Sequence, residues 1–488
     1  MNTYLGVDLG TSGVKVLLVS AEGKILAEKT ENYPITYLNS GWSEQAPAEW
    51  LRATESAIDE IFFDKSFSRE DVKGLSFGGQ MHGLVILDEK DEIIRPAILW
   101  NDGRTAQETD YLNNVIGKKK LSTEVANIAF AGFTAPKILW VKNNEPENFK
   151  KIKKICLPKD FLAYMMTGVF STDYSDASGT LLLDVKNKRW SNEMCKICGI
   201  KEQWLPKLYN SYDVIGKLKE KYGMPNALVT AGAGDNAAAA IGTGTVQNGD
   251  CNISLGTSGT VFVASETFAM DNKNAMHSFL HASGKWSLMA CILSAASANK
   301  WWVEDVLKDD YAKSVNGVES MLGDNNLYFL PYLMGERSPH NDINARGAFI
   351  GMRPNTTKEQ MSLAVLEGVA FALKDSVMIA KENGINISST KICGGGAKSA
   401  LWKKIIANVL NVDVCSVETE QGPGYGAAIL AMVGAGEYDS LESAANCIVK
   451  IKEVVKPKQH LVDKYQLRYQ VFKCLYPALK KVFKQMND

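Results

Sequence analysis

The same pentapeptide occurs twice in this chain, half a chain apart. Leu-Gly-Thr-Ser-Gly stands at 9–13 and again at 255–259, an offset of 246 residues in a chain of 488. Each copy lies between two stretches of alternating apolar residues, a pattern that predicts a strand, a tight turn and a second strand. Repetition at this spacing is typical of a duplicated domain. We therefore expect two related α/β domains, 1–243 and 244–488, each containing one such hairpin.

The turn residues of both hairpins suit the binding of a phosphate group. Glycines and hydroxyls let several backbone N–H groups and two side chains approach one anion. Asp8 precedes the first turn, and a carboxylate beside a phosphate requires a cation between them, which predicts Mg²⁺. The second copy has Ser254 at that position and would bind phosphate alone. An ordinary hairpin has the same local pattern, but the duplication favours an actin-like (ribonuclease H-like) ATPase fold. In that fold a nucleotide lies in the cleft between two related lobes.

The composition argues against several other classes of protein. A formal net charge of −1 gives no reason to expect a nucleic acid or a membrane surface as partner. The nine cysteines are scattered and odd in number, which indicates a reducing cytoplasm instead of a disulfide framework. The sequence contains no run of about 18 apolar residues, so no transmembrane helix is predicted. The first strand begins near residue 4, which leaves no room for a signal peptide.

Two polar clusters follow predicted strands in the first half. Gly-Gly-Gln-Met-His-Gly at 78–83 follows the strand 72–77, and Asn-Asp-Gly-Arg at 101–104 follows the strand 97–100. Ligands of open α/β sheets bind at the carboxyl ends of strands. His82 lies within a unit flanked by glycines, which favours a hydrogen bond to a sugar hydroxyl over a purely structural histidine. Asp102 has the same interpretation, although Asn-Asp-Gly is also a common turn.

A third cluster begins the small-residue stretch 228–243. A strand leads through Gly-Ala-Gly at 232–234 to Asp235, and a helix of alanines follows. Asp235 could cap this helix. It could also accept a proton from a substrate hydroxyl, and the helix N-terminus would keep the carboxylate ionised. The two interpretations are compatible, and the alanines predict close packing at the boundary between the lobes.

The second half contains a third glycine-rich loop and several structural signals. Three glycines at 394–396 separate a strand from a helix capped by Ser399, so a base and its phosphates could lie on the backbone. Glu336 and Arg337 are adjacent and could form an ion pair. Thr356 and Glu359 predict a capping box for a long helix ending at 381. A basic helix from about residue 465 is expected to pack on the surface.

Together these motifs resemble the FGGY family of carbohydrate kinases over residues 4 to about 436. The matching segments are DLGTSGVKV, WSEQ, GQMHG, RPAILWNDGR, GFTAPK, LPKD, GDNAA, SLGTSG, GERSPHN, GGGA and GPGYGAA. GQMHG and ILWNDGR are typical of the members that act on xylulose, whereas relatives acting on glycerol or ribulose differ there. The resemblance implies that the γ-phosphate of ATP is transferred to the 5-hydroxyl of D-xylulose. A homodimer is also implied, because dimers are usual in the family.

The resemblance also implies roles for individual residues. Asp235 would be the catalytic base, and Asp8 would lie near Mg²⁺. The predicted sugar contacts are Met81, His82, Asp102 and Asn236. The predicted phosphate and nucleotide contacts are Thr11, Ser12, Gly256, Thr257, Gly395, Gly396, Ala397 and Ser399. Trp301 could border the purine or belong to the core.

Two alternatives stay open at this stage. Ala233 and Ser338 replace a glycine and a threonine common in the family, so the sugar could be another ketose or a polyol. An actin-like nucleotide switch would also need both hairpins. The clusters around His82 and Asp102, together with Asp235, favour a kinase that acts on a small molecule.

Overall fold

In the computed structural model, which describes residues 1–63, 65–419 and 421–486, each half of the chain contains a seven-stranded mixed sheet. The first sheet has the spatial order Val214–Lys217, Leu228–Thr230, Val72–Gly79, Thr3–Leu9, Gly13–Ser20 and Ile25–Asn32, with Ala233–Gly234 also beside Val72–Gly79. The second has the order His277–Leu280, Trp286–Ile292, Gly259–Ser265, Cys251–Leu255, Ser389–Cys393, Asp413–Val417 and Ile451–Val455.

The two sheets repeat the same pattern of strand pairing. Thr3–Leu9 pairs antiparallel with Gly13–Ser20 and parallel with Val72–Gly79. Cys251–Leu255 likewise pairs antiparallel with Gly259–Ser265 and parallel with Ser389–Cys393. The duplicated pentapeptide therefore forms the turn of an equivalent hairpin in each sheet. We call the turn at 10–12 the first turn and the turn at 256–258 the second turn.

Helices flank the two sheets, and further strands form separate two-stranded pairs. The helices of the first half include Pro47–Ile61, Lys118–Val125, Thr134–Asn144, Pro146–Lys151, Pro158–Thr167, Asn192–Cys198 and Asp235–Gly242. Those of the second include Lys358–Glu382, Ala400–Leu410, Gly422–Gly434, Leu441–Ile448 and Gln459–Gln485. Ala106–Asp110 and Ala296–Lys300 each continue into a π-helical segment, Tyr111–Gly117 and Trp301–Leu307. Two-stranded pairs join Glu44–Gln45 to Ala97–Ile98, Val85–Leu87 to Lys154–Cys156, Ser171–Asp173 to Lys207–Tyr209, Leu183–Asp184 to Arg189–Trp190, and Tyr328–Leu330 to Ala348–Ile350.

The helix Gly422–Gly434 joins the second half of the chain to the first sheet. A Cβ atom on Gly6 would lie 1.9 Å from the carbonyl oxygen of Gly424, so the helix and the first strand touch through their backbones. A Cβ atom on Gly426 would lie 1.8 Å from the carbonyl oxygen of Ala238 in the helix Asp235–Gly242. The expected close packing of the alanine-rich helix at the boundary between the two halves is therefore confirmed.

The long helix begins one residue later than predicted. Thr357, not Thr356, is its N-cap, because the hydroxyl of Thr357 accepts the N–H of Gln360 at 3.3 Å. The Gln360 side chain in turn accepts the N–H of Thr357 at 3.0 Å. The hydroxyl of Thr356 instead accepts the N–H of Arg353 at 2.8 Å. Two adjacent threonines each have a suitable partner three residues on, so the sequence offers two equivalent caps and the preceding turn selects one.

The C-terminal helix is part of the core, and the prediction of surface packing was wrong. Tyr465 and Phe472 are at most 1% exposed and lie in the hydrophobic core of the second half. Arg468 forms a buried ion pair with Glu367 of the long helix at 2.6 Å. Lys473, Lys480, Lys481 and Lys484, which suggested a surface helix, lie on its exposed face. Nowhere among the described residues does a helix combine the length and apolarity of a membrane span.

Candidate active site

Two cavities lie on either side of the second turn. Gly256 and Ser258 line the first cavity, which has a volume of about 280 Å³. Thr257 lines the second, which has a volume of about 660 Å³. The first cavity also contains side chains from both halves of the chain, among them Met81, His82, Asp235, Asn236 and Arg337. The second turn therefore lies between the two cavities and borders both of them.

Asp235 is the first residue of the helix Asp235–Gly242 and not its cap, which is Gly234. Its Oδ1 atom accepts hydrogen bonds from the backbone N–H of Asn236 at 2.7 Å and from the Asn236 side chain at 2.9 Å. Burial raises the pKa of Asp235 to about 6, and these two bonds only partly oppose the shift. From the sequence we expected the helix N-terminus to keep Asp235 ionised, whereas desolvation has the larger effect and raises its pKa. The group is still mainly a carboxylate at neutral pH.

Asp8 lies in the first strand, close enough to Asp235 for the two charges to interact. Burial and, to a smaller extent, the charge of Asp235 raise the pKa of Asp8 to about 7, although Lys15 opposes both effects. Two partly buried carboxylates in this position favour a cation between or beside them. The described residues contain no group of three or more metal-ligating side chains. A divalent cation held by one carboxylate and by phosphate oxygens fits this donor set.

His82 is held in one orientation and one tautomer. Its backbone has a φ of 68°, and its carbonyl oxygen accepts the Nζ of Lys137 at 2.8 Å. The ring Nδ1 lies 2.7 Å from the carbonyl oxygen of Gly179. Because a carbonyl can only accept, Nδ1 carries the proton and Nε2 is left as an acceptor. Burial lowers the pKa of His82 to about 3, so the ring is neutral and its Nε2 can accept a hydrogen bond from a hydroxyl group.

Asp102 does not line either cavity. Its buried carboxylate accepts the Nη2 of Arg104 at 2.7 Å and the backbone N–H of Ser43 at 2.6 Å. Arg104 also stacks over the ring of Trp42, with the guanidinium carbon 3.9 Å from the ring centre. These contacts fix the loop that carries Trp100, which does line the first cavity. The predicted sugar contact of Asp102 stays a prediction, and the structure assigns the side chain to this loop.

The first turn lies beside the first cavity. The hydroxyl of Thr11 accepts the indole N–H of Trp100 at 2.9 Å, and its carbonyl oxygen accepts the side chain of Gln45 at 2.6 Å. Ser12 is exposed. Thr11 can still donate its hydroxyl proton, so both hydroxyls of this turn are available to a phosphate oxygen.

Four of the eight predicted phosphate and nucleotide contacts line the second cavity. Thr257, Gly395, Gly396 and Ser399 line it, whereas Ala397 is buried beside it. The hydroxyl of Ser399 accepts the N–H of Trp402 at 3.2 Å and so caps the next helix, as predicted. Additional lining residues that the sequence did not indicate are Asn299, Lys300, Tyr311 and Val315. Trp301 stacks on Phe329 outside this cavity and is a partly buried residue that packs against the core.

Several functional residues were missed or misread from the sequence. The predicted ion pair between Glu336 and Arg337 does not form, because the Glu336 carboxylate accepts the backbone N–H groups of Leu293 and Arg337 at 2.9 and 2.7 Å. Lys137 was not predicted to fix His82. Lys159 lies within 2.9 Å of the carboxylates of Asp160 and Asp173, all of them buried. The segments GERSPHN, GFTAPK and LPKD contained these residues, but their spacing did not reveal their partners.

Comparisons with known proteins agree with this geometry. The family model described as the N-terminal domain of the FGGY family of carbohydrate kinases matches residues 3–242, and that of the C-terminal domain matches residues 251–435. The chain is 39% identical to the xylulose kinase of Escherichia coli (strain K12) and 38% identical to that of Bacillus subtilis (strain 168). These matches cover 98% of this chain and 99% and 98% of those two proteins, respectively.

A solved structure shows the same fold over the whole length. The crystal structure of a xyloylose kinase from Brucella ovis is 37% identical, with a TM-score of 0.94 over 99% of this chain and 100% of that one. The actin-like fold of two related lobes, expected from the repeated hairpin, is confirmed. Both halves of the cleft that holds Asp8, His82 and Asp235 fall within the matched domains. The chain therefore belongs to the FGGY family of carbohydrate kinases.

Proposed function

We propose that this chain is an ATP-dependent xylulose kinase that forms D-xylulose 5-phosphate and ADP. The observation that carries the proposal is the pair of cavities on either side of the second turn. One contains the partly buried carboxylate of Asp235 and a neutral histidine acceptor, and the other is large enough and glycine-rich enough for a nucleotide. The names of the full-length relatives support xylulose as the sugar.

In the proposed reaction Asp235 accepts the proton of the sugar 5-hydroxyl. The sugar oxygen forms a bond to the γ-phosphorus of ATP, and the bond from that phosphorus to the bridging oxygen breaks. The electron pair of the broken bond leaves with ADP. Phosphoryl transfer depends mainly on positioning and charge stabilisation. His82, Met81 and Asn236 orient the sugar, and the first and second turns orient the phosphates.

We propose Mg²⁺ as the divalent cation of this site. Asp8 would hold it, together with phosphate oxygens of the nucleotide. When bound, the cation neutralises charge on the phosphates. Asp8 would then lose its proton at a lower pH, since the repulsion from Asp235 would be offset.

ATP is a cytoplasmic metabolite, which supports a cytoplasmic location. A homodimer stays an expectation drawn from the family.

The proposed substrate can be tested by measuring ADP release from MgATP with a panel of ketoses, polyols and sugar acids. We expect strong stimulation by D-xylulose and a low rate without sugar, because lobe closure excludes water. Stimulation only by another sugar would keep the kinase and overturn the assignment of xylulose. ADP release that is unaffected by every sugar would favour a nucleotide switch.

The raised pKa of Asp235 predicts an acid limb in the pH profile. A protonated carboxyl cannot accept the hydroxyl proton, so kcat/KM for xylulose should fall as the pH falls through about 6. At saturating MgATP, Asp8 stays bound to the cation. The acid limb of kcat/KM therefore reports the pKa of Asp235 in the enzyme that has not yet bound sugar. Circular dichroism at each pH verifies that the protein stays folded. A profile that is flat from about pH 5 to 7 would show that Asp235 is not the base.

A further inference from the structure

Among the described residues, the guanidinium of Arg337 is the sole cation lining the first cavity. Across residues 1–63, 65–419 and 421–486, it has no hydrogen-bonding partner and no ion pair, and its described contact is the ring of Phe130, 5.2 Å away. Its neighbour Glu336 binds backbone N–H groups instead. The proposed sugar is neutral and cannot neutralise this cation. Asp235 already lines this cavity, and of the two proposed substrates only ATP, through its phosphoryl group, brings further negative charge into it.

The backbone of Arg337 is attached to the strand beside the second turn. The hydroxyl of Ser338 accepts the N–H of Cys291 at 3.1 Å, and the N–H of Ser338 donates to the carbonyl oxygen of Cys291 at 3.0 Å. Cys291 lies directly opposite Thr260, two residues after Ser258, in the antiparallel register. Arg337 is therefore mounted on the same sheet as the turn that separates the two cavities.

The C-terminal helix keeps this loop in place. The hydroxyl of Tyr476 donates to the carboxylate of Asp342 at 2.7 Å, and its ring stacks on His340 at 3.6 Å between ring centres. The backbone of Asp342 exchanges hydrogen bonds of 2.8 and 2.9 Å with that of Glu336. A cation held by such a loop needs little reorganisation when a charged group arrives, which is the condition for electrostatic catalysis.

We propose that Arg337 is a catalytic residue that binds the phosphoryl group during its transfer and then the phosphate of the product. This inference rests on the proposed kinase function. A guanidinium can donate two parallel hydrogen bonds to two phosphoryl oxygens, which a single ammonium cannot do. The contact forms as the phosphoryl group enters the first cavity, so it strengthens the transition state and the product complex but not the sugar complex.

The test uses Arg337→Gln, which keeps a polar side chain and removes the charge. We expect kcat to fall by about 10²–10³-fold. The Kd for D-xylulose, measured by calorimetry without nucleotide, should change by less than about twofold, because the sugar complex lacks the contact. Inhibition by added D-xylulose 5-phosphate should weaken at least tenfold, and guanidinium ions should restore part of the activity. Arg353→Gln, an exposed arginine of the same lobe, is the matched control and should behave like the wild type.

Other outcomes would overturn the inference. A higher Kd for D-xylulose with unchanged kcat would place Arg337 on the sugar, and unchanged kcat with unchanged product inhibition would give it no role. Both results would leave the kinase function intact. Failure of the wild type to phosphorylate any sugar would instead overturn the proposed function. If Arg337→Gln does not fold, Arg337→Lys is measured in its place, with a smaller loss of kcat and the same unchanged Kd expected.

Discussion

Replacement of Asp235 by asparagine should lower kcat by about 10²–10⁴-fold, the usual contribution of general-base catalysis. An asparagine has nearly the same shape, and its side-chain oxygen can still accept the N–H of Asn236, which lies at 2.7 Å in the native chain. The fold and the first cavity should therefore survive. The amide cannot take the hydroxyl proton, so binding of D-xylulose should stay close to the wild type while turnover is lost.

Calorimetric Kd and steady-state kcat for Asp235→Asn should be measured together. Asp213→Asn is a suitable control, because its carboxylate also accepts a backbone N–H, that of Asn210 at 2.8 Å, and lies outside both cavities. The control should keep its turnover. An Asp235→Asn enzyme with turnover within about threefold of the wild type would exclude Asp235 as the base.

The hairpins and the polar clusters at strand ends were predictable because their signals are local. Alternation of apolar residues sets the strands, and the turn residues follow directly along the chain. Asp235, His82 and the glycines at 394–396 stand at strand ends, where the sheet topology exposes them to a cleft. The exact repeat of the pentapeptide then indicated that the two lobes are related, which no single motif could indicate.

The partners of charged side chains were not predictable, because they depend on contacts between distant segments. The carboxylate of Asp102 accepts the N–H of Ser43, 59 residues earlier in the chain, whereas Arg337 faces a cavity. The pKa of Asp235 also depends on how completely the two lobes bury it, which is a property of the whole fold. The helix N-terminus alone suggested the opposite shift.

The repeat also did not indicate that a helix from the second half of the chain packs against the first sheet. The helix Gly422–Gly434 lies late in the second half but packs against the first strand through Gly6. Its small residues were consistent with any close helix contact. The carbonyl oxygens of Gly424 and Ala238 lie beside Gly6 and Gly426 and show which surfaces this helix covers. Only the fold brings these distant segments together.

A buried charge cluster next to this boundary supports the segment that leads to Asp235. Lys159 lies 2.7 Å from Asp160, 2.9 Å from Asp173 and 3.7 Å from Asp176, and all four side chains are at most 1% exposed. The carboxylate of Asp173 also accepts the hydroxyl and N–H of Ser175. The Ser175 hydroxyl in turn accepts the N–H of Gly234 at 3.1 Å, directly before the proposed base.

Replacement of Lys159 by methionine should therefore destabilise the protein strongly. Methionine keeps much of the volume but leaves three buried carboxylates without their cation, and breaking a buried ion pair in this way costs about 3–5 kcal/mol. The free energy of unfolding in urea should fall accordingly, and kcat should fall at temperatures where the variant is still folded. Lys150→Met is the matched control, since Lys150 also pairs with a carboxylate, Glu147, at 2.6 Å, but both side chains are largely exposed. The control should keep the wild-type midpoint because water already screens that pair. Equal midpoints for the two variants would show that the cluster around Lys159 contributes nothing beyond a surface pair.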